Sequence, residues 1–171
     1  MTPVKMLVIS PIAESHAAGL RDCLGIVARE KKYLAQIEAL PLDRIEGFVR
    51  DSVANDVAQF VALDGDLVVG WADIFPHWAH ALAHIGRLGM GVLPGYRGHG
   101  VGCQLLAACI TKAQAKGITR IELEARADNL RAITLYEKFG FVHETRKRQA
   151  MRFDGVYFDA VQMSLLAEDR G

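Results

Sequence analysis

Eight residues near the middle of the chain, Gly95-Tyr96-Arg97-Gly98-His99-Gly100-Val101-Gly102, contain four glycines and one arginine. They stand between an apolar, strand-like run ending at Leu93 and a helix-like run that opens at Val101. The first N–H groups of a helix have no partner within it, and the helix dipole makes that end positive. Glycines let a backbone approach a ligand closely and take up positive φ. Together these features make an anion site suited to a phosphate or pyrophosphate, with Arg97 adding a fixed charge. Two familiar phosphate loops fail on spacing. A GxGxxG begun at Gly98 requires glycine where Cys103 stands, and a P-loop begun at Gly95 requires Lys-Ser/Thr where Val101-Gly102 stand. What remains is Arg-Gly-x-Gly-x-Gly, and its bland alternative is a loop whose glycines serve tight packing.

Other residue types invite chemistry less strongly. His77, His80 and His84 have the spacing that gathers metal ligands on a helix. The segment reads instead as loop and strand, where His77 and His80 point to opposite faces, so no metal is expected. Three cysteines, Cys23, Cys103 and Cys109, form no CxxC and read as reduced thiols. Cys103 near a helix start has the setting of a nucleophile, but a small packed hydrophobe is the simpler reading.

Composition narrows the classes. The chain has 171 residues, 51% hydrophobic and 23% charged, which fits a single globular domain over residues 1–171. Twenty basic and twenty acidic residues give a formal charge of zero, hence no electrostatic footprint for nucleic acid or an anionic membrane. No apolar run of about 20 residues exists to span a bilayer. The apolar run Met6-Leu7-Val8-Ile9 is too short for a secretory signal, which needs about 7–15 residues. A cytoplasmic protein is the expectation.

The elements that must position the loop follow from periodicity. Residues 4–9 read as a strand, 14–30 as a helix interrupted by Gly19 and Gly25, and 41–55 as a helix with a Pro near its start. Residues 60–63 and 67–71 flank Asp64-Gly65-Asp66, a hairpin signal, and Gly70 suggests a bulge. Residues 81–92 read as a glycine-broken strand, 101–116 as a helix stopped by Gly117, and 119–125 as a strand. Residues 129–139 read as a helix stopped by Gly140, and 141–150 and 157–166 as strands joined across Asp154-Gly155. The order implies a mixed α/β (α+β) domain.

Two segments carry a family resemblance. Residues 97–102 after the strand 88–93 resemble the acetyl-CoA loop of the GNAT superfamily of N-acyltransferases, Arg/Gln-x-x-Gly-x-Gly/Ala. Residues 127–141, from Ala127-Asp128-Asn129 through Tyr136 to Gly140-Phe141, resemble its second signature, Asn-x-x-Ala-x-x-x-Tyr-x-x-x-Gly-Phe. The two stand in the family's order, and the similarity runs from residue 4 to 166. The Asp64-Gly65-Asp66 hairpin and the tail Arg148-x-x-Met151-x-x-x-Gly155-x-Tyr157-x-Asp159-x-x-x-Met163 resemble the bacterial L-amino-acid N-acetyltransferase branch, with polyamine acetyltransferases sharing a similar tail. The resemblance implies a central mixed, largely antiparallel sheet, splayed between its fourth and fifth strands and flanked by helices.

It also implies roles. Met90, Gly91 and Val92 would pair with the pantetheine amides of acetyl-CoA, the cosubstrate. Arg97, Gly98, His99, Gly100, Val101 and Gly102 would hold its pyrophosphate. Asn129 would bond the pantetheine arm, serve as a helix cap, or do both. Tyr136 lies seven residues on, two helical turns and about 10.5 Å along one face, where its phenol would protonate the leaving thiolate. A core packing role is the alternative. The acceptor ammonium must lose a proton, and His84, Glu122 and Glu124 are the candidates, beside a shared water chain. The two glutamates alternate with Leu123 and so share one strand face, where pairing with Arg87 or Arg120 is the structural alternative. One of Arg146, Lys147, Arg148 or Arg152 would take a substrate carboxylate, the alternative being a solvated strand face.

These readings converge on acetyl transfer from acetyl-CoA to a primary amine of a small molecule, an amino acid or a relative, by direct attack in a ternary complex. A polyamine or protein N-terminal acceptor, a non-catalytic CoA-binding sensor and a nucleotide-binding domain are the alternatives. A homodimer is implied at family level only.

Overall fold

The computed structural model describes residues 7–167, so residues 4–6 of the expected first strand lie outside it. Among these residues seven strands form one sheet in the order β1-β2-β3-β4-β5-β7-β6. They are β1 (Val8–Pro11), β2 (Ala58–Asp64), β3 (Leu67–Pro76), β4 (Ile85–Val92), β5 (Arg120–Arg126), β6 (Val142–Phe153) and β7 (Val156–Leu166). Every neighbouring pair is antiparallel except β4 with β5. Four helices cover it: α1 (Ala17–Arg29), α2 (Leu42–Ala54), α3 (Val101–Ala115) and α4 (Leu130–Lys138).

The hairpins follow their turn chemistry. β2 and β3 join through Gly65-Asp66 with Gly65 at φ 62, and β6 and β7 through Asp154-Gly155, both at positive φ. Positive φ at both central residues, as at Asp154-Gly155, or at the first alone, as at Gly65, matches the twist of the strands. The β2–β3 register slips between Ala62 and Leu63, leaving Val69 as the extra residue beside Gly70.

The strand expected over 81–92 begins only at Ile85. β3 ends its pairing with β4 at Pro76 opposite Gly86, so residues 81–84 have no strand to pair with, and residues 80–82 turn as a 3₁₀ segment. His84 therefore sits in an exposed turn, where its carbonyl accepts the N–H groups of Thr119 and Arg120.

Two cores hold the layers together. On one face, Leu105, Leu106, Cys109 and Ala113 of α3 pack on Val69, Ile74, Ile121, Leu123 and Met163. On the other, Leu20 and Val27 of α1 and Ile45 and Val49 of α2 pack on Val61, Val68 and Trp71. Each such Leu, Ile, Val or Met side chain, fully buried, contributes roughly 1.5–3 kcal/mol. The seam between β4 and β5 is short. Three pairs only, from Ile85–Arg120 to Arg87–Glu122, join the strands before they part.

Candidate active site

Where β4 and β5 part, they open a cavity of about 600 Å³. It is walled by Met90, Gly91 and Val92 of β4, the glycine loop, Glu124 and Ala125 of β5, one face of α4, and Val27 and Tyr33 from α1 and the chain that follows it.

The loop reaches its shape through two glycines. Gly98 and Gly100 stand at φ 79 and 81, and an added Cβ at either would meet nothing within 4 Å. Backbone rather than side chain therefore faces the space, and Gly100 is the cap residue from which α3 starts. The unpaired N–H groups of that start line the same end of the cavity. His99 points into solvent and is not on the wall, whereas Arg97, Gly98, Gly100, Val101 and Gly102 are.

Arg97 is already engaged. Its Nε donates to the Val92 carbonyl at 2.8 Å, and its two terminal nitrogens hold the Glu30 carboxylate at 2.9 and 2.5 Å. The guanidinium lies 4.4 Å over the Tyr33 ring. So Arg97 clamps the loop to the end of α1 and to β4, and one carbonyl of the expected pantetheine-binding edge is taken. Arg131 and Lys138 of α4 bring two further cations to the wall.

Asn129 caps α4, its side chain accepting the Ala132 N–H at 3.4 Å, and it also lines the cavity. Tyr136 lies on the same wall, 8% exposed, with its ring 5.8 Å from that of Phe141. Burial pushes its phenol up to about 12, so the proton stays on the oxygen at neutral pH.

The two strand glutamates part company. Glu122 accepts from Arg120 Nε at 2.8 Å and is not among the residues lining the cavity, and His84 is not either. Glu124 does line it, bonded to Lys147 and 3.6 Å from Arg87. Of the basic residues singled out in the sequence, Arg146 donates to Asp159 at 3.0 Å, Lys147 serves Glu124, and Arg152 lies 5.2 Å over Tyr157. Cys103 is exposed and lines the cavity, while Cys23 and Cys109 are buried. Among the described residues no three His, Cys, Asp or Glu side chains gather as metal ligands; His77 Nδ1 instead accepts the Ala79 N–H.

The fit to a long anionic thioester can be judged from these walls. One end offers helix N–H groups beside backbone that carries no side chain. The middle offers the β4 edge beyond Arg87, which has no β5 partner in the register. The far end offers a protonated phenol and a carboxylate. The donor set suits a diphosphate, an amide-bearing arm and a sulfur leaving group, in that order.

Comparison with known proteins shows the family and the fold. Residues 24–141 match the acetyltransferase (GNAT) family. The L-amino acid N-acetyltransferase of Escherichia coli (strain K12) is 34% identical over 111 residues, covering 63% of this chain and 67% of that protein. The mycothiol acetyltransferase of Streptomyces scabiei is 37% identical over 86 residues, 48% of this chain and 26% of that protein. The ribosomal protein bS18-alanine N-acetyltransferase of E. coli is 36% identical over 76 residues, 44% of this chain and 51% of that protein. The chain thus spans between a quarter and a half of the length of these last two. Among solved structures, a GNAT acetyltransferase from Streptococcus pneumoniae superposes with a TM-score of 0.88 at 26% identity, over 95% of this chain and 100% of that one. A Salmonella typhimurium protein solved with acetyl-CoA gives 0.89 at 17% identity, over 96% of each chain, and shows the shared fold.

Proposed function

The chain belongs to the GNAT acetyltransferase family, and on that premise we propose that it transfers an acetyl group from acetyl-CoA to the primary amine of a small molecule, an amino acid or a close relative. The observation that carries the reading is the cavity itself. It runs from the loop and helix-start backbone at residues 98–102, past the open β4 edge, to Tyr136 and Glu124.

Acetyl-CoA supplies the activated acyl group, and the protein supplies position and electrostatics. The loop amides, with Arg131 and Lys138, hold the diphosphate end. Met90 and Gly91, with the Asn129 side chain, align the pantetheine arm. Tyr136, protonated and shielded from bulk water, donates its proton to the departing sulfur. Glu124 holds the acceptor ammonium beside the thioester, its own position fixed by Lys147 and Arg87. The acceptor attacks directly, with both substrates bound. Cys103 carries no acyl group in this scheme.

An L-amino acid N-acetyltransferase among the relatives supports the choice of acceptor, and one of the basic residues of β6, of which Lys147 already holds Glu124 on the cavity wall, would meet its carboxylate. Thermal shift with acetyl-CoA, CoA and ATP tests the first half. A ligand held at a hundred times its Kd adds about 2.7 kcal/mol, and only the two coenzymes should do so. Free-thiol release with a panel of amino acids, polyamines and peptide N-termini tests the second. Stabilisation without turnover on any amine would make the protein a CoA-binding sensor.

A further inference from the structure

A polar row crosses the sheet at the level of the splay, on the face that α1 and α2 cover. The register sets Gln59 beside Asp73 and Asp73 beside Gly89. The last β4–β5 pair is Arg87 with Glu122, so Gly89 and Glu124 stand two residues further along on that same face, and Glu124 is beside Gln162. On either side of the row β3 is aromatic, with Trp71 and Phe75.

Gly89 shapes this row. A Cβ on Gly89 would stand 3.1 Å from Asp73 Oδ1 and 3.9 Å from its Cγ. The carboxylate therefore leans across β4, oxygen first, toward the gap where β5 has departed. Trp71 does the same one step along, its ring within 2.4 Å of where a Cβ on Gly91 would be. Two side-chain-free positions in β4 let these β3 side chains lie over the strand whose Met90, Gly91 and Val92 wall the cavity; Asp73 and Trp71 themselves stand behind that wall and do not line it. Arg87 turns the other way, to Glu124, and does not pair with Asp73. Beside Asp73 on β2, Gln59 is 1% exposed, and among the described residues neither its Oε1 nor its Nε2 has a partner, a buried amide facing the same row.

We propose that Asp73 is the proton acceptor for the incoming ammonium, an inference that rests on the acetyl-transfer reading above. Asp73 takes one proton from the nitrogen, freeing its lone pair. The nitrogen bonds to the thioester carbonyl carbon and the carbon–sulfur bond breaks. Tyr136 gives its proton to the sulfur and recovers the second proton from the new amide nitrogen. Asp73 then releases its proton to water. Glu124, held by two cations, orients the ammonium, and the carboxylate without a cation receives the proton.

The chemistry of the site agrees with that division. Burial pushes the Asp73 carboxyl up to about 7, against a Gly89 N–H that favours its ionised form. A base poised there is matched to neutral pH. The groups that face it are Arg87 on β4 and Glu122 and Glu124 on β5, with Arg120 paired to Glu122. Gln59 of β2 and the buried α2 residues Ile45, Val49 and Ser52 carry no charge, and α1 contributes the buried Cys23. From the opposite face of the sheet, Asp73 helps push the Cys109 thiol up.

The test is the pH dependence of kcat/KM for wild type, Asp73→Asn and Glu122→Gln, with acetyl-CoA affinity measured alongside. Wild type should show an acidic limb near pH 7. Asp73→Asn should lose that limb and fall by a hundredfold or more at neutral pH, within the range for a lost general base, with acetyl-CoA affinity within twofold. Glu122→Gln should keep the limb. A second readout needs no turnover: in ligand-free protein labelled with ¹³C at aspartate carboxyls, one resonance should titrate near 7, and either Asp73→Asn or Asp73→Glu should remove it. An Asp73→Asn enzyme with wild-type rate and limb, or an Asp73 that titrates in the ordinary carboxylate range, overturns the inference and leaves acetyl transfer standing. Wild-type protein that acetylates nothing overturns the acetyl-transfer reading instead, and the inference with it.

Discussion

Tyr136 keeps its proton across the whole physiological range because its phenol sits in a buried wall, and a group that must donate to a thiolate has to be protonated when the thiolate forms. Replacement by Phe removes the donor and leaves the ring's packing against Phe141 in place. kcat should fall tenfold or more while acetyl-CoA affinity stays within twofold, measured by steady-state kinetics and calorimetry. With its pKa near 12, Tyr136 should impose no alkaline limb below that pH. Asp73 has a stability signature of its own. Its carboxyl is raised in the folded protein, so the folded state holds the proton more tightly than the unfolded chain. Stability should therefore fall as pH rises from about 4 to about 7, by on the order of 2–4 kcal/mol from this group. Asp73→Asn should flatten that segment in urea unfolding at successive pH values; an unchanged slope would place Asp73 in an ordinary solvated setting. Residues such as Asn129 and Tyr136 were legible in the sequence because spacing along one helix fixes their common face. Asp73 was not, since it stands beyond the strand read over 67–71, in a run whose spacing signals no chemistry. Its meaning comes from Gly89, which only the register brings beside it.

At the scale of elements, the glycine loop is tied to α1 through one side chain. Arg97 bridges the Val92 carbonyl, the Glu30 carboxylate and the Tyr33 ring, joining β4, the loop and the end of α1. The planar fork makes three contacts at once, which an ammonium does not reproduce. Arg97→Lys should cost about 1–2 kcal/mol in urea unfolding, and it should weaken acetyl-CoA binding by loosening the loop. Glu30→Gln should share the stability loss. Wild-type stability in both variants would mean that the clamp contributes nothing. Such a clamp is invisible to sequence reading because its partners stand 67 residues apart. Local signals fared differently. Asp154-Gly155 fixed its hairpin, and Gly117 and Gly140 ended their helices at positive φ. The start of β4 was misread because a strand needs a partner, and Pro76 is where β3 stops offering one.

For the molecule as a whole, the parting of β4 and β5 is what converts a sheet into an enzyme-like cleft. Parallel strands joined by only three residue pairs leave one edge of β4 open, and helix starts, cations and the phenol collect around it. The fold class and the splay were legible through the two signature segments, while the assignment of roles among the acids depended on which side of the gap each strand presents. The most direct measurement is a crystal structure with a non-hydrolysable acetyl-CoA analogue. It should show the diphosphate over the backbone amides of residues 98–102, the pantetheine arm along Met90 and Gly91, and the thioester position within hydrogen-bonding reach of the Tyr136 hydroxyl. An analogue bound elsewhere, or a reacting end turned away from Tyr136, would contradict the account.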